Sequence, residues 1–140
     1  MAKKFQESAK SLAETLFNSK TVIEGTAASV LLGDMSYRIF TGGKDVSGKY
    51  IGKYSENYAA YRQILGLKTS YVDLTLSTEL LKSIIQQDNK VLFKNTYGEE
   101  IAKKNEKHFN KIIFTPSEIE EKRVLDIIQE EIDLLIKKEI

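Results

Sequence analysis

Hydrophobic positions change period several times along this chain, and each change marks an element. Phe5, Ala9, Leu12 and Leu16 recur at spacings of four, three and four, with Lys3, Lys10, Glu14 and Lys20 on other faces. That spacing predicts an amphipathic helix, widened by Phe17. The β-branched Thr21, Val22 and Ile23, then Gly25 and an Ala-rich run to Leu32, predict either a second helix or a broken continuation of the first. Tyr37-Arg38-Ile39-Phe40 either extends a helix or forms a short strand. The stretch 41–53 is dense in turn formers, from Thr41-Gly42-Gly43 to Gly52, and predicts a loop.

Beyond the loop, Ser55 is placed to cap a short helix. Tyr54, Tyr58, Tyr61 and Leu65 share one face of it, and Gly66 stands at its C-terminal cap. Tyr71-Val72-Asp73-Leu74-Thr75 alternates as a strand, and Ser77 or Thr78 opens a short helix through Leu80, Leu81 and Ile84. Val91-Leu92-Phe93 predicts a second strand paired with the one at Tyr71 to Thr75. Gly98 to Lys107 predicts a helix, with Ile101, Ala102 and Asn105 on one side. The last helix is predicted to start with Thr115 as N-cap, Pro116 at the first helical position and Glu118 three residues after the cap. It then carries Leu125, Ile128, Ile132 and Leu135, with Val124, Ile127, Leu134 and Ile136 broadening the apolar surface. So wide a surface is expected to join the core, packing on the chain's own sheet and on a second surface. The expected fold class is α+β, a small antiparallel sheet packed against long N- and C-terminal helices. The expected organisation is one domain over 1–140, with a helical segment at 1–36 and the remainder at 37–140.

Composition narrows the function. The 140 residues are 41% hydrophobic and 29% charged, which fits a soluble globular domain, and the net charge of +1 lacks the basic excess of a dedicated nucleic-acid binder. There is no cysteine, and His108 is the single histidine, so thiolate chemistry is excluded and most zinc sites and histidine pairs are removed. No signal peptide or membrane span is expected, which predicts a protein made in the cytoplasm. Charge is uneven, however. Residues 117–140 hold eight acidic against four basic side chains, whereas 21–116 hold 13 basic against 10 acidic.

Four features are candidates for chemistry. Gly43-Lys44-Asp45-Val46-Ser47-Gly48-Lys49 has the spacing of a phosphate-binding loop, and a nucleotide-binding enzyme is one alternative reading. Against it, Tyr50 stands where a hydroxyl should meet magnesium, and Gly52 interrupts the helix that should follow. The carboxylate pairs Glu99-Glu100, Glu120-Glu121 and Glu130-Glu131 are adjacent on helices, so they diverge by about 100° and suit solvent. His108 sits at a helix end, where it suits the last carbonyls. Tyr54, Tyr58 and Tyr61, with Lys49, Lys53 and Arg62 nearby, fit a stacking surface for nucleic acid, a protein interface or part of the chain's own core. No catalytic, cofactor-binding or metal-ligating residue is assigned.

The order of features carries a family resemblance. A Gly-rich loop from Gly42, Tyr54-Ser55 opening a Tyr-rich helix, Asp73-Leu74-Thr75 and Leu80-Leu81-Lys82-Ser83-Ile84 come in succession. The strand at Val91 to Phe93, Ile101-Ala102, Glu106 and Phe114-Thr115-Pro116-Ser117-Glu118 follow. Over about residues 37–140 this resembles the tailed-phage virion morphogenesis proteins, also called tail completion or minor tail proteins of the head–tail neck. Ser77-Thr78 stands where that family usually has Thr-Gly. The resemblance implies an α+β domain assembled as a homo-oligomeric ring on the virion axis, joining portal or connector to tail, without catalysis. DNA would at most pass through the lumen. The partner-binding residues expected on this reading are Lys44, Lys49, Lys53, Tyr54, Tyr58, Arg62, Glu130 and Asp133. The loop is expected to be mobile in the free subunit and to order against an acidic surface, such as the terminal helix of a neighbouring copy.

Overall fold

The computed structural model describes residues 2–75 and 79–139. Its elements are α1 (Ala2–Ser36), a π-helical turn (Tyr37–Thr41), α2 (Glu56–Ile64), α3 (Glu79–Ser83), β1 (Ile84–Gln87), β2 (Lys90–Phe93), α4 (Thr96–Phe109) and α5 (Glu118–Glu139). The arrangement is α+β: a two-stranded antiparallel sheet lies against the pair of long terminal helices.

Helix α1 runs unbroken through Gly25 for 35 residues, which removes the alternative of a break there. Tertiary contact outweighs the weak local propensity of that stretch. Ile23, Ala27 and Ala28 are buried on one face, and the Gln86 amide of β1 donates to the Gly25 carbonyl at 2.8 Å. The helix then widens. The Gly42 N–H reaches back five residues to the Tyr37 carbonyl at 2.7 Å, so Tyr37 to Phe40 extend the helix and form no strand. Gly43 ends it with φ of +62°, at a point where a Cβ would collide with the Tyr71 ring and the Val72 carbonyl.

The sheet is made from different partners than the alternation predicts. Residues 71–75 are not a strand: the Val72 N–H bonds the Gly52 carbonyl at 3.2 Å, and Leu74, at φ 57°, turns the backbone away. β2 pairs instead with β1, in the register Ile84↔Phe93 to Gln87↔Lys90. The two-residue turn between them is Asp88-Asn89, with Asp88 at φ 55°, a conformation its short polar side chain tolerates. Helix α3 therefore stops at Ser83 and releases Ile84 to the strand; its expected start at Ser77 or Thr78 lies outside the described residues. Helices α2 and α4 form as expected. Ser55 accepts the Tyr58 N–H, and Gly66 (φ +72°) closes α2 with the Leu67 N–H on the Arg62 carbonyl and its own on Gln63. Asn95 caps α4 through the Gly98 N–H, and left-handed Asn110 (φ 53°) ends it.

The start of α5 lies two residues beyond the expected cap. Ser117 is the N-cap: its hydroxyl accepts the Glu120 N–H at 3.1 Å, and Glu120 accepts the Ser117 N–H at 3.0 Å. This reciprocal pair is a capping box, and it leaves Thr115 and Pro116 outside the helix. The helix runs back along α1, as the contacts Arg38–Glu120 and Asp34–Arg123 establish. The hydrophobic core gathers Ile39, Phe40, Ile51, Val72, Leu80, Ile84, Ala102 and Ile113, with Tyr54, Phe93 and Phe109 packed against them. No residue of α5 belongs to that cluster. The expectation that Leu125, Ile128, Ile132 and Leu135 build the core is thus corrected. Helix α5 packs on α1, with Ile128, Ile132 and Leu135 half-buried and Leu125 left exposed, so the molecule divides into a head with the core and a two-helix stem.

Candidate functional site

Among the described residues Arg62 is the largest fully buried side chain, although its neighbours on α2 place it on a tyrosine face. Its Nε–H donates to the Lys68 carbonyl at 2.9 Å and its Nη2 to Asp73 Oδ1 at 2.9 Å. The Tyr54 ring lies 4.3 Å over the guanidinium. Asp73 also accepts the Thr75 N–H and hydroxyl, and its own N–H donates to the Tyr54 hydroxyl at 3.1 Å. Burial pushes the Tyr54 phenol above its ordinary pKa; the N–H from Asp73 opposes that shift and the Asp73 carboxylate adds to it. Arg62 is therefore withdrawn from the surface, and its assignment as a partner contact is corrected. The ion pair with Asp73, eleven residues along the chain, supplies the compensation that lets a charge be buried.

Above this network opens a cavity of about 550 Å³, lined by Lys53, Tyr54, Tyr58, Leu74, Leu80, Tyr97, Ile101, His108 and Phe109, among others. Four of the sequence-selected residues thus meet at one place, Lys53, Tyr54, Tyr58 and Arg62, all of them lining the cavity. The rings of Tyr54 and Tyr58 are 5.3 Å apart and those of Tyr58 and Tyr61 are 6.2 Å apart. His108 stacks edge-on against Phe109 at 4.7 Å. The lining mixes aromatic and aliphatic side chains with the polar groups of Lys53, Ser55, Glu79, Asn105 and His108, which suits a ligand group that is mostly apolar.

Lys44 and Lys49 lie elsewhere, on the turn after Gly43. This turn is organised by Asp45, a buried carboxylate that the sequence reading passed over. Asp45 Oδ1 accepts the Ser47 N–H at 2.9 Å, the Ser47 hydroxyl at 2.8 Å and the Lys49 N–H at 3.0 Å. Lys111 approaches its other oxygen at 3.8 Å, and the backbone adds Val46 N–H to Ile112 carbonyl at 2.9 Å. Burial raises the Asp45 pKa, but the bonds from Ser47 and Lys49 and the charge of Lys111 outweigh it and hold the carboxyl below its ordinary value. The amides that a phosphate loop would offer a nucleotide are already bonded: those of Ser47 and Lys49 to this carboxylate, and those of Lys44, Asp45, Val46 and Gly48 to backbone carbonyls. The expected mobility also loses its premise, because the segment has intramolecular partners and anchors Ile51 in the core.

The turn presents a layered surface. Lys44 lies 5.7 Å over Tyr50, Tyr50 and Tyr71 are 5.3 Å apart, and Lys68 lies 4.6 Å over Tyr71. Lys68 donates to the Tyr71 hydroxyl at 2.7 Å, a bond that raises the lysine pKa. Glu130 and Asp133 are exposed on α5, where Asp133 accepts from Gln129 at 2.9 Å. The structure thus distributes the sequence-selected residues over three places: the cavity, the turn and the stem.

The residue that joins the turn to the stem is Arg38, which no motif singled out. Its Nε meets Glu120 Oε2 at 2.8 Å and its Nη2 meets Glu120 Oε1 at 3.2 Å. The remaining donors reach the carbonyls of Lys44 (3.2 Å), Ile113 (3.0 Å) and Thr115 (2.9 Å). All five guanidinium protons are thereby used. A lone cation inside the apolar run Tyr37 to Phe40, with a Ser117-to-Glu120 capping box downstream, is the sequence signal that could have found it.

Among the described residues, no three His, Asp or Glu side chains converge in a cluster able to hold a metal, and no helix is long and apolar enough to cross a membrane. Compared with protein-family models, curated proteins and solved structures, the chain gives no match.

Proposed function

We propose that this chain is a structural subunit that acts by binding, without catalysis, as a tail completion or ring protein of a phage head–tail neck. On this reading copies assemble into a homo-oligomeric ring that joins portal or connector to tail in the virion. The subunit is made in the host bacterial cytoplasm, and DNA at most crosses the lumen. The resemblance over residues 37–140 supplies the virion setting.

One structural observation carries the assembly reading. Helix α5 holds nine apolar residues, Ile119, Val124, Leu125, Ile127, Ile128, Ile132, Leu134, Leu135 and Ile136, and none is fully buried. Leu125 and Leu134 remain 65% and 55% exposed, and Phe17 and Val22 of α1 are 78% and 70% exposed. A two-helix stem with this much uncovered apolar surface fits a protein that completes its packing against others. Light scattering of the purified protein across micromolar concentrations, with electron microscopy of the product, tests it. Closed oligomers are expected; a monomer at every concentration would overturn the reading.

A further inference from the structure

The outer face of α5 combines apolar and acidic residues that the subunit's own basic surface does not reach. Asp126, Glu130 and Asp133 recur at spacings of four and three, so they share one face, with exposed Leu134 beside them. The ion pairs of α5 among the described residues use Arg38–Glu120 and Asp34–Arg123 and leave these three acids out. At about 1.5 Å per residue, Asp133 lies about 20 Å along the helix from Glu120, where the head is attached.

The head holds the complementary surface. Lys44, Tyr50, Tyr71 and Lys68 form the cation–aromatic stack described above, with exposed Lys49 next to Tyr50. Tyr50 is 57% exposed. The nearest carboxylates in sequence are both buried and already paired, Asp45 with Ser47, Lys49 and Lys111 and Asp73 with Arg62, so neither is free to cover this face. Tyrosine and lysine stems offer apolar contact beneath the charges, which matches a partner that mixes leucine with acid.

We infer that the acidic outer face of α5 in one copy docks on the lysine–tyrosine face of the head in a second copy. The inference rests on the assembly reading above and names its surfaces. The contact is heterologous, because each copy offers a different patch to each neighbour, and such a contact repeats into a ring when its rotation closes. Lysines over stacked tyrosines also suit a single-stranded nucleic acid. The chain's own acidic face, spared by its internal ion pairs and equal in sign to what the lysines need, favours the second copy.

A charge exchange tests it. One variant reverses the head (Lys49→Glu with Lys68→Glu), and another reverses the stem (Glu130→Lys with Asp133→Lys). These side chains are exposed, and circular dichroism checks that both variants keep the fold. Each variant alone is expected to associate more than tenfold more weakly than the wild-type chain, as judged by sedimentation. Their equimolar mixture, and the chain carrying all four substitutions, should recover assembly. A wild-type chain that assembles while neither reversal matters would overturn this inference alone. So would two weakened variants that do not rescue each other. A single-stranded oligonucleotide bound through Lys49 and Lys68, with assembly unaffected by their reversal, would assign the face to nucleic acid and overturn it too. A wild-type chain that never assembles would overturn the assembly reading with it.

Discussion

Replacing Arg38 by alanine removes the one side chain that ties the end of α1, the Asp45 turn, the segment at 113–115 and the start of α5 together. Its side chain is 10% exposed and that of Glu120 is 7%, so water replaces little of what is lost. The Glu120 carboxylate keeps only its bond from the Ser117 N–H, and the carbonyls of Lys44, Ile113 and Thr115 lose a donor each. Breaking one side of a buried ion pair costs about 3–5 kcal/mol, against a total stability of about 5–15 kcal/mol. For a chain of this size that corresponds to a fall in Tm of about 10 °C or more. Urea denaturation followed by circular dichroism measures it. Arg38→Lys should recover only part of the loss, since an ammonium has three donors and no planar fork. Arg38→Met combined with Glu120→Met should cost less than Arg38→Met alone, because no charge is then left buried without its partner. An Arg38→Ala protein within about 1 kcal/mol of the wild type, or strict additivity in the double variant, would refute the assignment of Arg38 as a buried joint.

The Asp45 carboxyl titrates below its ordinary value in the folded chain, so its stabilisation is present above about pH 4 and is lost as pH falls through the lowered folded value. Protection factors at the amides of Ser47 and Lys49 should therefore drop in acid before the rest of the head opens; uniform loss across the head would contradict this. Gly98→Ala, which would add about 1 kcal/mol of helix propensity in an open helix, should destabilise instead. A Cβ there would sit 2.5 Å from Cβ and Oγ of Ser83, and a raised Tm would show the α3–α4 contact to be looser than described. Calorimetry with magnesium–ATP should give no saturable heat for the wild type or for Lys49→Ala, because the loop amides are bonded to the Asp45 carboxylate and to backbone carbonyls; micromolar binding abolished by the substitution would overturn that account of the turn. Truncation after Glu121 should melt the stem while the amides around Ile39, Ile51 and Ile113 stay protected, and loss of protection there would make head and stem one cooperative unit.

Local signals were read well where local forces decide. The Ser55 cap of α2 and the Asn95 cap of α4 rest on side-chain–backbone bonds within a few residues, and the Gly66 end of α2 rests on backbone bonds to Gln63 and Arg62; the α+β class was legible from the order of elements. The misreadings share a different cause. Val72 and Leu74 alternate like a strand, but the N–H of Val72 is bonded by Gly52, twenty residues earlier, and the backbone turns at Leu74. Arg62 sits at the spacing of an exposed face on α2, yet Asp73 and the Lys68 carbonyl draw it inward. Thr115 looked like the better cap because proline follows it; Ser117 wins because Glu120 answers both it and Arg38. In the candidate site the residue types of the cavity were legible in the tyrosine spacing. The Asp45 turn and the Arg38 joint were not, since each depends on partners such as Lys111 and Glu120 that no periodicity brings together.

The pairing of the first helix with the last sets a waiting time during synthesis. Ser36 ends α1 and Glu118 begins α5, so 82 residues must be added before α1 begins to meet the helix that covers its stripe. At about 5–20 residues per second that takes about 4–16 s, during which the face of α1 that packs on α5 lacks its cover. The β1–β2 hairpin emerges midway and lays Gln86 against Gly25, giving α1 an early docking point. Head formation can precede stem formation in every nascent chain, and the acidic face of α5 is presented only after the lysine–tyrosine face has been built. On the docking inferred above, chain order alone would delay that contact until α5 has emerged.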